Sequence, residues 1–330
     1  RARHRSWKRV NMVRIAHGYV VWAIAAVCSP VSDHGLFHPK PTLRTRNLRA
    51  IAKSKFESGE VVWITGASSG LGASIARKVA EKLTPNTKNR LVLSGRNMRE
   101  LKNIQSQCIE ISPNSLEVDV VPFDLSDTES IPLIAEDIVN RYGGVDSMVL
   151  CGGVSSRGSI VNSTCQLQHK VMKINHLSSV ALSLGVLPSM LEKKQGRIIH
   201  INSVQGRFAL PFRGAYGASK HASTAFFDSL RAEVSGHGIQ VSSFQPGYIR
   251  TNLSLNAFTS QGNAHGKMDE STAKGMSPED VADMVWKYAW ERPSPEVVMA
   301  PLNARLALGL RALLPRLYFR IMEKRANRDT

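Results

Sequence analysis

Tyr216 and Lys220 stand four residues apart, and Ser203 precedes the tyrosine by thirteen. At helical spacing a phenol and an ammonium share one face. A neighbouring positive charge, joined by that of an oxidised nicotinamide, stabilises phenolate and draws the tyrosine pKa down from about 10 toward working pH. Such a phenol can protonate a carbonyl oxygen or take a proton from an alcohol, while a serine hydroxyl holds the same oxygen. The pattern Y-x-x-x-K alone is common in proteins and mostly without meaning. Its weight here comes from its place behind an apolar run, residues 197–201, that leads into Ser203.

A second group of residues suits a phosphate. Thr65-Gly66-Ala67-Ser68-Ser69-Gly70-Leu71-Gly72 follows the apolar run Val61-Val62-Trp63-Ile64 and precedes a helical pattern. Small residues let the backbone approach a pyrophosphate, whose charge is favoured by the amides at a helix N-terminus. A purely structural turn is the alternative for glycines alone; the position between strand and helix argues against it. Ser94-Gly95-Arg96 closes the next strand with no acid. An acid there would hold a ribose 2′-hydroxyl, whereas a guanidinium pairs with a 2′-phosphate, so Arg96 favours NADP(H) over NAD(H). Asp124 is expected to meet the adenine, and Ser126 or Asp127 to cap the following helix.

These residues need elements to position them, and the chain supplies an alternation of strand and helix patterns. Strands are expected at 61–64, 91–93, 118–123, 145–150, 197–201, 239–244 and 296–299, with helices at 71–83, 98–109, 130–142, 166–193, 215–234 and 278–290. Seven strands joined by helical crossovers predict an α/β fold: a Rossmann-like, doubly wound, mainly parallel sheet covered on both faces. The Gly/Ser/Asn-rich segment 252–276 is too long for an ordinary connection and reads as a lid. The chain divides into a basic leader (1–56), a catalytic domain (57–300) and a basic amphipathic C-terminal helix (301–330), with Pro315 bending the last.

Over residues 59–300 the chain resembles the short-chain dehydrogenases/reductases. The glycine turn is similar to that family's T-G-x-x-x-G-x-G, and Ser203, Tyr216 and Lys220 match its active-site motif. The resemblance adds Asn175, in Lys173-Ile174-Asn175-His176, as the fourth member of a catalytic tetrad. It also adds Pro246-Gly247 with Ile249 and Thr251, whose loop meets the nicotinamide carboxamide. The implied cofactor contacts are Thr65, Gly66, Ser68, Ser69, Gly70, Leu71, Gly72, Arg96, Asp124, Leu125, Tyr216, Lys220, Ile249 and Thr251. One motif departs: where the family has N-N-A-G, this chain has Leu150-Cys151-Gly152-Gly153. Loss of both asparagines puts local stability and turnover in doubt, and favours a rival reading as a nucleotide-binding scaffold or redox sensor.

The motifs Gly247-Tyr248-Ile249-Arg250-Thr251-Asn252-Leu253-Ser254, Gly266-Lys267-Met268-Asp269 and Ser203-Val204-Gln205-Gly206 resemble one subgroup of the family. That resemblance implies membrane association and reduction of lipid-like ketones such as acyl- or alkyl-dihydroxyacetone phosphate; steroids and retinoids are alternative substrates. It also implies an endoplasmic reticulum or peroxisomal membrane rather than the cytoplasm, and a homodimer paired through two long helices.

Composition limits the partners. The formal charge of +17 sits at the ends: residues 1–56 carry +11, residues 301–330 carry +5, and the body between carries +1. Basic ends on a near-neutral body suit an anionic surface such as a membrane and not a nucleic-acid groove. The apolar run at 19–28 is short for a bilayer span of about 20 residues, leaving a signal-anchor, an interfacial anchor or a disordered leader as readings. Cys28, Cys108, Cys151 and Cys165 have no metal or disulfide spacing and read as reduced thiols; no metal site is expected.

Overall fold

The computed structural model describes residues 59–83, 88–113 and 115–328. The expected leader and its apolar run lie outside them. Residues through Ala300 belong to one compact unit, and those from Pro301 onward to another.

The first unit is a seven-stranded parallel sheet in the order β3-β2-β1-β4-β5-β6-β7. Its strands are β1 (Val61–Thr65), β2 (Asn89–Ser94), β3 (Leu116–Val120), β4 (Ser147–Leu150), β5 (Gly196–Ile201), β6 (Ile239–Pro246) and β7 (Glu296–Met299). Both faces are covered, which is why the strands read as apolar runs and not as alternations with polar residues. Val62, Ile64, Leu91 and Leu93 pack into the core on one face, while Trp63 and Val92 enter the other. Each such side chain, fully buried, stabilises the fold by roughly 1.5–3 kcal/mol. The order reverses between β1 and β4, and in such sheets the crevice beyond the strand C-termini at the reversal is where ligands bind.

One face carries α1 (Gly70–Lys82) and α2 (Met98–Ile111), and the other α3 (Ile131–Tyr142). After β4 come α4 (Cys165–Met172) and α5 (Ser178–Glu192). The expected single helix over 166–193 is in fact these two, joined by a π turn at Lys173–Leu177. Together the stretch Cys165–Glu192 is long and apolar enough to cross a membrane. Val171, Leu182, Val186 and Met190 are nevertheless fully buried within the fold, so it serves as a core helix. The remaining helices are α6 (Gly214–Val234), α7 (Glu270–Ala273) within the 252–276 segment, and α8 (Pro278–Trp286).

At the N-terminal edge of the sheet Glu60 is a buried hub. Its Oε1 accepts from Arg197 Nη1 at 2.8 Å, from Trp290 Nε1 at 3.2 Å and from Ser147 Oγ, while its N–H donates to Asn89 Oδ1 at 3.0 Å. Strands β2, β4 and β5 are thereby tied to the start of β1.

In the second unit, the C-terminal segment forms two helices and not one bent helix: α9 (Leu302–Leu313) and α10 (Pro315–Ala326), separated at Leu314. Proline at the first position of a helix is favoured, which turns the expected bend into a break. Arg311 lies over the Phe319 ring at 5.1 Å. Leu306, Leu313, Leu317 and Phe319 are exposed.

Candidate active site

After β1 the chain reverses through Gly66 and Gly70, at φ of 68° and 53°. A Cβ on Gly66 would stand 2.7 Å from the Cα of Gly152, and one on Gly72 would stand 2.1 Å from the carbonyl oxygen of Gly66. The turn is therefore closed against both its own helix and the loop after β4. Ser69 is the N-cap of α1 but its side chain makes no capping bond. The first amides of α1 face the crevice at the positive end of the helix dipole, where an anion is favoured. This cradle fits the pyrophosphate of a dinucleotide. Thr251 closes it from the far side: a Cβ on Gly70 would meet Thr251 Cγ2 at 3.1 Å.

The neighbouring cofactor residues divide. Gly95 abuts Ser68 of the turn, and Arg96 beyond it is exposed. Asn97 then caps α2 by accepting from the N–H groups of Arg99 and Glu100, at 3.1 and 3.3 Å. Asp124 is exposed, but its Oδ1 accepts from the Ser126 N–H at 2.8 Å, so the carboxylate is partly engaged in its own turn. Ser126 and Asp127 do not cap α3; Ser130 holds that position, without a side-chain bond. Leu125 points to the loop after β4, its Cδ1 lying 2.2 Å from where a Cβ on Gly152 would be. Glycine, not alanine, at 152 is thus matched to Leu125. Ile249 is fixed by an isolated bridge to Met276.

Asn175, Ser203, Tyr216 and Lys220 are all buried and converge beyond the ends of β4 and β5. Asn175 lies in the π turn, a feature frequent at functional sites. Its Oδ1 accepts from the Val154 N–H at 2.8 Å, and its Nδ2 donates to the Val154 carbonyl and to Ser219 Oγ, both at 2.9 Å. It thereby clamps the loop after β4 to α6. A Cβ on Gly153 would lie 3.1 Å from Asn175 Oδ1 and 4.0 Å from Lys220 Nζ, so glycine keeps this meeting point open. Lys220 Nζ donates to the Ile201 carbonyl at 3.2 Å and stands 5.8 Å from the Tyr216 ring centre. Burial pushes its pKa down to about 8, with Cys151 opposing.

The Tyr216 phenol lies within the influence of the Ser203 hydroxyl, which draws its pKa down. Ser203 Oγ also accepts from the Gln205 N–H at 3.1 Å, which fixes the serine at the head of a short 3₁₀ turn. Burial raises the phenol pKa from its ordinary value, outweighing Ser203 and the charges of Arg213 and Arg157. At the missing asparagines, the Cys151 N–H donates to Thr65 Oγ1, which donates to the Val149 carbonyl, both at 3.3 Å. The Cys151 thiol is pushed up to about 12 by burial and is not a nucleophile near neutrality. No cluster of metal-ligating side chains occurs among the described residues.

Sequence reasoning passed over four residues at this site. Ser156 Oγ accepts from the Tyr216 N–H at 3.2 Å, and Asp269 bridges Arg157 and Arg213. Nothing in local spacing marks them, because the partners are distant in sequence.

A family model described as short chain dehydrogenase matches residues 60–262, from the start of β1 well into the lid. The chain belongs to the short-chain dehydrogenase/reductase family. It is an oxidoreductase acting on CH–OH and C=O groups, of a family that uses nicotinamide cofactors. Dehydrogenase/reductase SDR family protein 7-like of Anopheles gambiae is 41% identical over 312 residues, covering 93% of this chain and 94% of the relative. Dehydrogenase/reductase SDR family member 7B of Danio rerio is 42% identical over 274 residues, covering 82% and 87%. The 7B proteins are the subgroup that the motifs at 247–254 and 266–269 resemble. A solved metagenomic short-chain oxidoreductase in complex with NADP is 25% identical, covers 75% of this chain and 99% of its own, and has a TM-score of 0.60. A short-chain dehydrogenase from Streptomyces avermitilis, 23% identical, covers 83% and 99% with a TM-score of 0.65 and shares the fold.

Proposed function

We propose that the protein uses NADP(H) to reduce a hydrophobic, lipid-like ketone, or to oxidise the corresponding alcohol, at a membrane surface. The observation that carries this reading is the convergence of four buried side chains, Asn175, Ser203, Tyr216 and Lys220, with the Lys220 Nζ 5.8 Å from the Tyr216 ring centre. The phosphate turn at 65–72 and the loop with Ile249 and Thr251 would hold a nicotinamide dinucleotide, which would supply the hydride. Ser203 holds the carbonyl oxygen, and Tyr216 delivers the proton to it. Lys220 supplies positive charge from below, and Asn175 keeps the loop after β4 in place against α6. Burial favours the protonated phenol that donates to a carbonyl oxygen, and the positive charge of an oxidised cofactor would favour the phenolate that the reverse reaction requires.

Arg96, exposed beside the phosphate turn with no acid at 94–96, supports NADP(H) over NAD(H). Exposed Ile160 and Val161 after β4 and Leu253, Leu255 and Met268 in the lid segment support an apolar substrate. The basic, leucine-rich α9 and α10 suit an interfacial position on an anionic membrane, of the endoplasmic reticulum or peroxisome by resemblance to the 7B subgroup. Pairing of two copies through α5 and α6 completes the proposal. The raised thiol pKa of Cys151 speaks against the redox-sensor alternative.

The test is NADPH consumption by the full chain in detergent against lipid ketones, steroids and retinoids, with Y216F in parallel. Turnover of at least one lipid ketone is expected, falling by about 10²–10⁴ in Y216F while NADPH still binds. Binding of NADPH without turnover of any compound, or full turnover by Y216F, overturns the reading.

A further inference from the structure

Asp269 stands at the N-cap position of α7 in the lid segment without a side-chain cap, and one of its carboxylate oxygens is shared by two guanidinium groups. Arg157 donates to Asp269 Oδ2 from Nε at 2.8 Å and from Nη2 at 2.6 Å, and Arg213 donates to the same oxygen from Nη2 at 3.0 Å. The three side chains are only 10%, 12% and 18% exposed. His265 Nε2 stands 3.8 Å from the other carboxylate oxygen. Desolvating three ionised groups together is costly unless their geometry is well satisfied. An exposed surface pair such as Lys274 with Glu270, 75% and 80% exposed, involves no such cost.

Two routes lead from this carboxylate to the first turn of α6. Along one, Arg157 also donates to Ser155 Oγ and, at 2.9 Å, to the Ser156 carbonyl, and Ser156 Oγ accepts from the Tyr216 N–H. That bond is a cap supplied from outside, since the N-cap residue of α6, Arg213, makes no side-chain cap of its own. Along the other, Arg213 precedes Tyr216 by three residues, and its carbonyl accepts from the Gly217 N–H at 2.8 Å. The lid backbone docks on the same loop, with the Arg157 N–H donating to the Phe258 carbonyl at 2.7 Å and the Phe258 N–H to the Ser155 carbonyl at 2.9 Å.

We propose that Asp269 is the positioning residue for Tyr216: with the lid docked through this carboxylate, Arg157 and Arg213 hold the first turn of α6 so that the phenol faces Ser203. Release of the carboxylate loosens lid and tyrosine together, so substrate entry and assembly of the proton donor become one event. Two guanidinium groups against one carboxylate also leave a positive charge uncompensated near the phenol, which opposes the upward push of burial. The proposal rests on the reading of Tyr216 as proton donor, but its first readout needs no substrate.

Hydrogen exchange of the full chain with NADPH separates the two questions. In D269N, which keeps shape and removes charge, exchange should quicken by about tenfold or more both in the lid amides at 254–276 and at 214–217. NADPH affinity should fall by less than kcat does, since Asp269 is not itself a cofactor contact and the phosphate turn at 65–72 is untouched. On a ketone identified by the panel above, kcat should fall about tenfold or more with KM changing less, as for a group that acts on the transition state through geometry. D269E should restore much of the loss, and E270Q on the exposed pair should change neither exchange nor kcat. Faster exchange confined to the lid, with 214–217 and kcat unchanged, overturns the proposal. So does unchanged exchange in both. Should D269N not fold, S156A cuts one route alone, and unaltered exchange at Tyr216 in that variant is equally fatal. Quickened exchange at 214–217 in a protein that turns over no ketone leaves the positioning link standing and fails only the proposed function.

Discussion

Lys220 donates to the carbonyl oxygen of Ile201 at 3.2 Å, so the buried ammonium is anchored to the end of β5, the strand that leads into Ser203. Its folded pKa of about 8 lies below the ordinary 10.5. Between these values the unfolded chain retains a proton that the native protein has lost, so stability should rise with pH across the window from about 8 to 10.5. Denaturant titrations of wild type and K220M across this window check the sign: the rise should be present in the first and reduced in the second. Ketone reduction should move oppositely, declining as pH climbs through about 8 and the ammonium is lost.

Arg96 has open solvent around it and stands beside the Ser68 turn. R96A should weaken NADPH binding by about tenfold, the worth of one charge-assisted contact of roughly 1.4 kcal/mol, and leave NADH binding within about twofold. Fluorescence titration of both cofactors reads this directly. Equal losses for the two would refute a 2′-phosphate role.

Gly152 has no room for a methyl group, since Leu125 Cδ1 occupies that space at 2.2 Å. G152A should destabilise the protein by about 1–3 kcal/mol through overpacking. Adding L125A should recover part of that loss, and a thermal melt of the single and double variants gives the comparison.

Glu60 gathers Arg197, Trp290 and Ser147 on one oxygen at the edge far from the crevice. E60A removes the carboxylate facing a largely buried guanidinium and should cost about 3 kcal/mol or more. NADPH affinity measured well below the melting temperature should be unaffected.

The fold was legible because each strand and helix is announced by its own residues. Val61-Val62-Trp63-Ile64 followed by Ile75, Val79 and Leu83 reads as strand then helix without outside information, and the tetrad keeps spacings of four and thirteen. What could not be read depends on contacts between distant segments. Asp269 meets Arg157 across 112 residues and Arg213 across 56, and Ser156 meets Tyr216 across 60. The fit of Leu125 to Gly152 shows only once the two loops are seen together, and it bears on the third position of the N-N-A-G motif, not on the two asparagines. The depth at which Tyr216 is buried belongs with these, since spacing reveals a nearby ammonium but not how far the phenol is removed from water.

The π turn at Lys173–Leu177 gives α4 and α5 one residue more than regular winding needs. Deleting a residue there would let the helix run on with ordinary bonds and leave its two flanks in their present phase, because the π turn is where the extra residue is absorbed. The Leu167 and Val171 stripe would stay in line with Leu182 and Val186, but the widened turn that carries Asn175 to Val154 and Ser219 would be gone. Helix formation alone therefore selects against the very residue that the catalytic loop depends on, and the length of this segment is fixed by chemistry at its middle.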